Sequence, residues 1–142
     1  MALTGDERLA WLREVPLFRG CAESSLAALA ERTAEIDFRP GQAIVQQGQV
    51  GNGLFILVKG TARVTTGDQE LAHLGPGEVI GELSVIDQEP RVATVTAVEA
   101  VRCLALASWD LLALLEEDAQ LGLNLVHELV RRLRSCDEQL RH

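Results

Sequence analysis

The chain has 142 residues, 47% of them hydrophobic and 24% charged, which fits one folded domain with a core of its own and excludes a disordered chain. Thirteen basic residues against 21 acidic ones leave a net charge of -8, so a general nucleic-acid or anionic-membrane binder is excluded, and any anion must be met in a local pocket. Cys21, Cys103 and Cys136 form no CxxC pair, residues 1–11 hold no signal-like apolar run, and no stretch approaches the roughly 20 apolar residues of a membrane span; the expectation is a cytoplasmic protein whose cysteines are small buried hydrophobes.

Residues 1–33 read as an N-terminal helical segment. Thr4 or Asp6 would cap a short helix with Leu9, Trp11 and Leu12 on its apolar side, and Val15-Pro16-Leu17-Phe18 interrupts it. Leu26, Leu29 and Ala30 are spaced for one face of a second helix. Residues 34–107 read as short strands broken by glycine: Ile36 to Phe38, Ala43 to Gln46, Leu54 to Val58, Thr61 to Thr66, Gln69 to Leu74, Val92 to Val98 and Val101 to Leu106. Many short strands at regular spacing predict a sandwich or a jelly-roll barrel. Residues 108–142 are helical, with Ser108 and Asp118 as caps. Gly122, Val126, Leu129, Leu133, Cys136 and Leu140 step by 4, 3, 4, 3 and 4, a heptad seam suited to a homodimer, while Leu121 and Leu125 form a second apolar edge facing the barrel. The fold class expected is α+β, a β jelly-roll barrel flanked by N-terminal helices and two C-terminal helices.

Residues 79–97 carry the chemistry. A strand ends at Gly81, a helical turn and a polar turn follow, and Pro90-Arg91 leads into a new strand. Glycine admits a positive φ and a close ligand approach. A helix start after it offers free N–H groups to an anion. Arg91, ten residues on, can return across the same pocket and bind two phosphate oxygens. The Glu82 carboxylate suits a sugar hydroxyl. A plainer reading stays open on these residues alone: Glu82 caps a helix and Arg91 makes a surface ion pair.

Gly81-Glu82-Leu83 with Pro90-Arg91-Val92-Ala93-Thr94-Val95 closely resembles the phosphate-binding cassette of the cyclic nucleotide-binding domain family, of the catabolite activator protein and protein kinase A regulatory subunit type. Gln47-Gly48, the run Leu54 to Val64, the approach Leu74 to Glu82 and the helical entry Val15 to Phe18 extend the likeness over roughly Trp11 to Arg134. The resemblance implies that Gly81 and the amides near Leu83 and Ser84 meet a cyclic phosphate, that Glu82 takes the ribose 2′-hydroxyl, and that Arg91 pairs with an exocyclic phosphate oxygen. Val92 and Ala93 would add backbone or apolar contact. Cyclic-GMP-selective relatives often carry a hydroxyl after the cassette arginine, and Val92 stands there, so the expected ligand is cAMP rather than cGMP. The family's base lid falls on the last helix at Cys136 and Asp137, with Leu133 and Arg134 as further lid candidates. Arg131, Arg132 and Arg134 otherwise read as a solvated face.

His73, His127 and His142 do not gather in the strand region, so no metal triad is expected, and neither a Gly-x-Ser-x-Gly elbow nor a P-loop is present. The expectation is a regulatory domain, not an enzyme, that turns cyclic-nucleotide binding into movement of its C-terminal helices. The alternatives are an N-terminal sensor of a longer transcription regulator or other effector, Met1 looking like a native start, and a scaffold or dimerisation module that binds no ligand. No DNA-reading helix-turn-helix follows the long helix, so direct nucleic-acid contact is not expected.

Overall fold

The computed structural model describes residues 2–51, 53–81 and 89–140, with side chains as far as residue 135. Helix α1 (Gly5–Glu14) begins at a reciprocal cap. The Thr4 hydroxyl accepts from the Glu7 N–H at 3.1 Å, and the Glu7 carboxylate accepts from the Thr4 N–H at 3.0 Å. After a 3₁₀ turn at Pro16–Phe18, α2 (Glu23–Arg32) buries Leu26, Leu29 and Ala30, the positions whose spacing predicts one face.

The strands described are β1 (Ala34–Phe38), β2 (Ala43–Val45), β3 (Gly53–Lys59), β4 (Ala62–Thr66), β5 (Gln69–Leu74), β6 (Val79–Ile80), β7 (Thr94–Ala97) and β8 (Val101–Ala107). They pair antiparallel into two sheets of four, ordered β1-β8-β3-β6 and β2-β7-β4-β5, followed by α3 (Ser108–Glu117) and α4 (Ala119–Leu140). The jelly-roll expectation therefore holds, with helices on the N- and C-terminal sides. Two local expectations are corrected. Strand β7 starts at Thr94 rather than Val92, because the Arg91 backbone bonds to the loop after β2 instead of a strand ladder: Arg91 N–H donates to Gln49 O at 2.9 Å, and Gly48 N–H donates to Arg91 O at 2.8 Å. Ser108 is not a cap but the first helical residue, buried, with Ala107 in the cap position. Asp118 does cap: one carboxylate oxygen accepts from Gln120 N–H at 3.0 Å, and the other accepts from Ala22 N–H at 2.9 Å, tying the α3–α4 junction to the start of α2.

Strand alternation creates two cores. On β3, Leu54 and Ile56 point to the helices while Phe55 and Leu57 point between the sheets. Strand β8 does the same in register, Leu104 and Leu106 against the helices and Val101 and Cys103 inward, with Ile56 opposite Leu104 and Leu57 opposite Cys103. The helix-side core is closed by Leu12, Phe18, Leu26, Leu111, Leu121 and Leu125. Asn124 of α4 adds a polar clasp, donating to Leu17 O at 2.7 Å and to Arg19 O at 2.8 Å. Leu57 is wholly buried in the inter-sheet core. Leu57→Ala is expected to lower the unfolding free energy by about 2–5 kcal/mol, read as a shifted midpoint in a urea titration at unchanged slope.

Candidate functional site

Arg91 lies in the segment between the described end of β6 and the start of β7. Pro90 bridges antiparallel to Val50, so the chain around Arg91 is zipped to the loop that joins β2 to β3. Its guanidinium runs inward. Nη2 donates to Gly53 O at 3.0 Å, and a Cβ built on either Gly51 or Gly81 would collide with guanidinium atoms. Gly81 also sits at φ +84, a conformation that L side chains rarely adopt. Burial pushes the Arg91 pKa below its ordinary value, yet a guanidinium remains charged. Among the described residues no carboxylate pairs with it. Burying a cation is electrostatically costly, and an oxyanion at its side would offset that cost.

A cavity of about 400 Å³ opens beside this guanidinium. Its walls are apolar, from Val45, Val64, Leu74, Val79 and Val95, with Arg91 in one wall and Arg132 of α4 in another. This volume falls in the range of small-ligand sites. The chemistry on offer is a fixed cation for an oxyanion, apolar surface for a ring system, and a second guanidinium able to stack on a planar base. A second cavity, of about 750 Å³, lies under α4 and is lined by Asn124, His127, Glu128, Arg131 and again Arg132. Cys21 and Cys103 are buried, and burial pushes Cys103 up to about 12. Among the described residues no group of three His, Cys, Asp or Glu side chains could hold a metal ion, and no helix is long and apolar enough to cross a membrane.

Of the site residues expected from sequence, Gly81, Arg91, Val92 and Ala93 all line the smaller cavity, although Val92 remains 85% exposed. Glu82, Leu83 and Ser84 lie outside the described residues, as do the side chains of Cys136 and Asp137. Leu133 and Arg134 do not line the cavity, and Leu133 is 67% exposed. The α4 side chain at the cavity is Arg132, which the sequence reading placed on a solvated face. The signal for it was present: Leu121, Leu125, Glu128 and Arg132 step by 4, 3 and 4, so the barrel-facing stripe simply turns polar toward the C-terminus. Glu128 holds Arg132 in place, accepting from its Nε at 2.9 Å, and also accepts from Arg131 Nη2 at 2.6 Å.

The family model described as a cyclic nucleotide-binding domain matches residues 35–118. The cyclic AMP receptor protein of Thermus thermophilus is 37% identical over 130 residues, covering 88% of this chain and 60% of the relative. A cGMP-dependent protein kinase of Toxoplasma gondii is 35% identical over 127 residues, covering 89% of this chain but 12% of the kinase. The chain thus spans three fifths of the first relative's length and a small part of the second. Among solved structures, the regulatory domain of Toxoplasma gondii PKA with cAMP shares the fold at a TM-score of 0.78 and 23% identity, over 89% of this chain and 50% of that one.

The hydrogen bond from Arg131 holds the Glu128 carboxyl below its ordinary 4.5, against the opposing effect of burial and with further help from Arg132. A lowered folded-state pKa stabilises the fold above the unfolded value, and this contribution is lost as pH falls through the lowered one. Wild type is therefore expected to melt above Glu128→Gln at pH 7, with the difference shrinking to nothing below pH 4.5 as the carboxyl protonates, read from thermal melts across pH.

Proposed function

The chain belongs to the cyclic nucleotide-binding domain family, and from that premise we propose that it is a cyclic-AMP sensor whose phosphate anchor is Arg91. The single observation that carries this reading is the half-buried Arg91 cation, held between two glycines beside an apolar cavity of about 400 Å³. Arg91 takes an exocyclic phosphate oxygen, Gly81 with the amides of Leu83 and Ser84 takes the rest of the phosphate, and the Glu82 carboxylate takes the ribose 2′-hydroxyl. Val92 and Ala93 flank the sugar and base without offering a hydroxyl to the guanine amino group, which favours adenine. The printed names of a cyclic AMP receptor and of a PKA regulatory domain bound to cAMP agree with adenine, whereas the matched kinase is named for cGMP.

Arg132 serves as the base lid in this reading, in place of the more distal Leu133, Arg134, Cys136 and Asp137. A base in the cavity draws the Arg132 guanidinium over its face and away from Glu128. That preference for one placement of α4 is the differential affinity a ligand needs to shift a conformational equilibrium. The output surface is the outer seam of α4, where Val126 is 52% exposed and Leu129 40%, a face suited to a second copy of the chain. The effector stays in the region that the relatives have beyond the match, a transcription-regulator or other regulated domain, and the role proposed for this chain is binding rather than catalysis.

Calorimetric titration tests this. Wild type is expected to bind cAMP saturably and more tightly than cGMP. Loss of a charge-assisted bond in Arg91→Ala should weaken cAMP binding roughly ten- to a hundredfold, and Arg132→Ala should weaken it less. A folded wild type that gives no heat with either nucleotide refutes the reading. For the seam, Val126→Glu is expected to convert a dimer into a monomer in sedimentation-velocity runs, and a wild type that sediments as a monomer with and without cAMP rules the seam out as the output surface.

A further inference from the structure

Resting on the cyclic-nucleotide reading above, we propose that Gly51 is a positioning residue for the phosphate anchor: its missing side chain is the slot that holds the Arg91 guanidinium. Four glycines surround this arginine in sequence or space, and only one isolates the effect. Gly48 sits at φ +87 with open space beside it, so its need for glycine is conformational. A Cβ on Gly53 would meet the backbone oxygen of Leu106, so its need comes from the β3–β8 pairing. Gly81 combines a positive φ with a collision against Arg91. Gly51 has no positive φ, and the three atoms nearest to its would-be Cβ are Nη2, Nε and Cζ of Arg91. The nearest obstruction to a side chain at position 51 is thus the guanidinium itself.

The surroundings leave the backbone little room to give way. Residues on the N-terminal side of Gly51 are fastened to the arginine's own chain by the Gly48–Arg91 and Arg91–Gln49 hydrogen bonds and the Val50–Pro90 bridge. On the other side, Arg91 Nη2 donates to Gly53 O at 3.0 Å. A methyl group at position 51 therefore expels the guanidinium rather than the loop, breaks the bond to Gly53 and misaims the anchor. The loop between β2 and β3 contributes to phosphate recognition without a side chain that touches the ligand.

The test is a double-mutant cycle of wild type, Gly51→Ala, Arg91→Ala and the double variant, with Gly5→Ala, where a Cβ meets nothing, as control. Each is melted without ligand and titrated with cAMP. In the arginine-containing background Gly51→Ala is expected to lower Tm and to weaken cAMP binding roughly tenfold or more. In the Arg91→Ala background it is expected to lower neither Tm nor the residual affinity, and Gly5→Ala to lower neither in wild type. Equal losses in both backgrounds, or wild-type affinity in Gly51→Ala, overturn the proposal. If Gly51→Ala fails to fold, recovery of folding in the double variant supports the slot, and its failure there refutes it. If wild type binds no cyclic nucleotide while the Tm losses remain coupled, the slot stands and the ligand reading falls.

Discussion

The β3–β8 ladder is the constraint on which the rest of the molecule depends. Each strand is a shared wall, with one face sealing the inter-sheet core and the other supplying the floor on which all helices sit. A one-residue slip would exchange the two faces, so the pairing of Ile56 with Leu104 and of Leu57 with Cys103 settles where the helices can dock and where the barrel can open. The same strand begins at Gly53, whose carbonyl receives the Arg91 guanidinium. The register of the ladder and the aim of the anchor are therefore one geometric fact.

From that floor the helices transmit position to the cavity. Leu121 and Leu125 pack into the helix-side core, Asp118 and Asn124 bind the junction to the N-terminal segment, and two turns later Arg132 reaches the cavity. The apolar contacts hold the first half of α4 firmly. The ion pairs of Glu128 in the second half lie within the helix itself, are exposed in part and are individually weak. Stability thus declines along the helix toward the end that meets a ligand, and local mobility is cheapest where the sensor needs it.

Much of this was legible from residue order alone. The Leu26–Leu29–Ala30 face, the β5 limits and the two stripes of α4 follow from period and punctuation, because burial on one face leaves a regular trace. Arg91 was legible through its family-like setting and through its place ten residues after the Gly81 turn. The start of β7 and the lid position were not. Strand propensity at Val92 is overruled by backbone bonds to a loop more than 40 residues earlier in the chain. Arg132 shares its phase with Leu121 and Leu125, but its charge masks that signal, because a charged helix residue usually faces water.

The two stripes of α4 are adjacent in phase. Residues 121, 125, 128 and 132 face the barrel and its cavity, and residues 122, 126, 129 and 133 follow one position later, about 100° further round the same cylinder. A continuous helix is stiff in torsion, so the two faces are geared. Rolling α4 inward by any angle to bring Arg132 over a bound base turns the outer seam by the same angle, with no intermediate element in which the motion could be lost. Readout then becomes a matter of angular tolerance: the partner surface that accepts the seam at one roll angle rejects it at another.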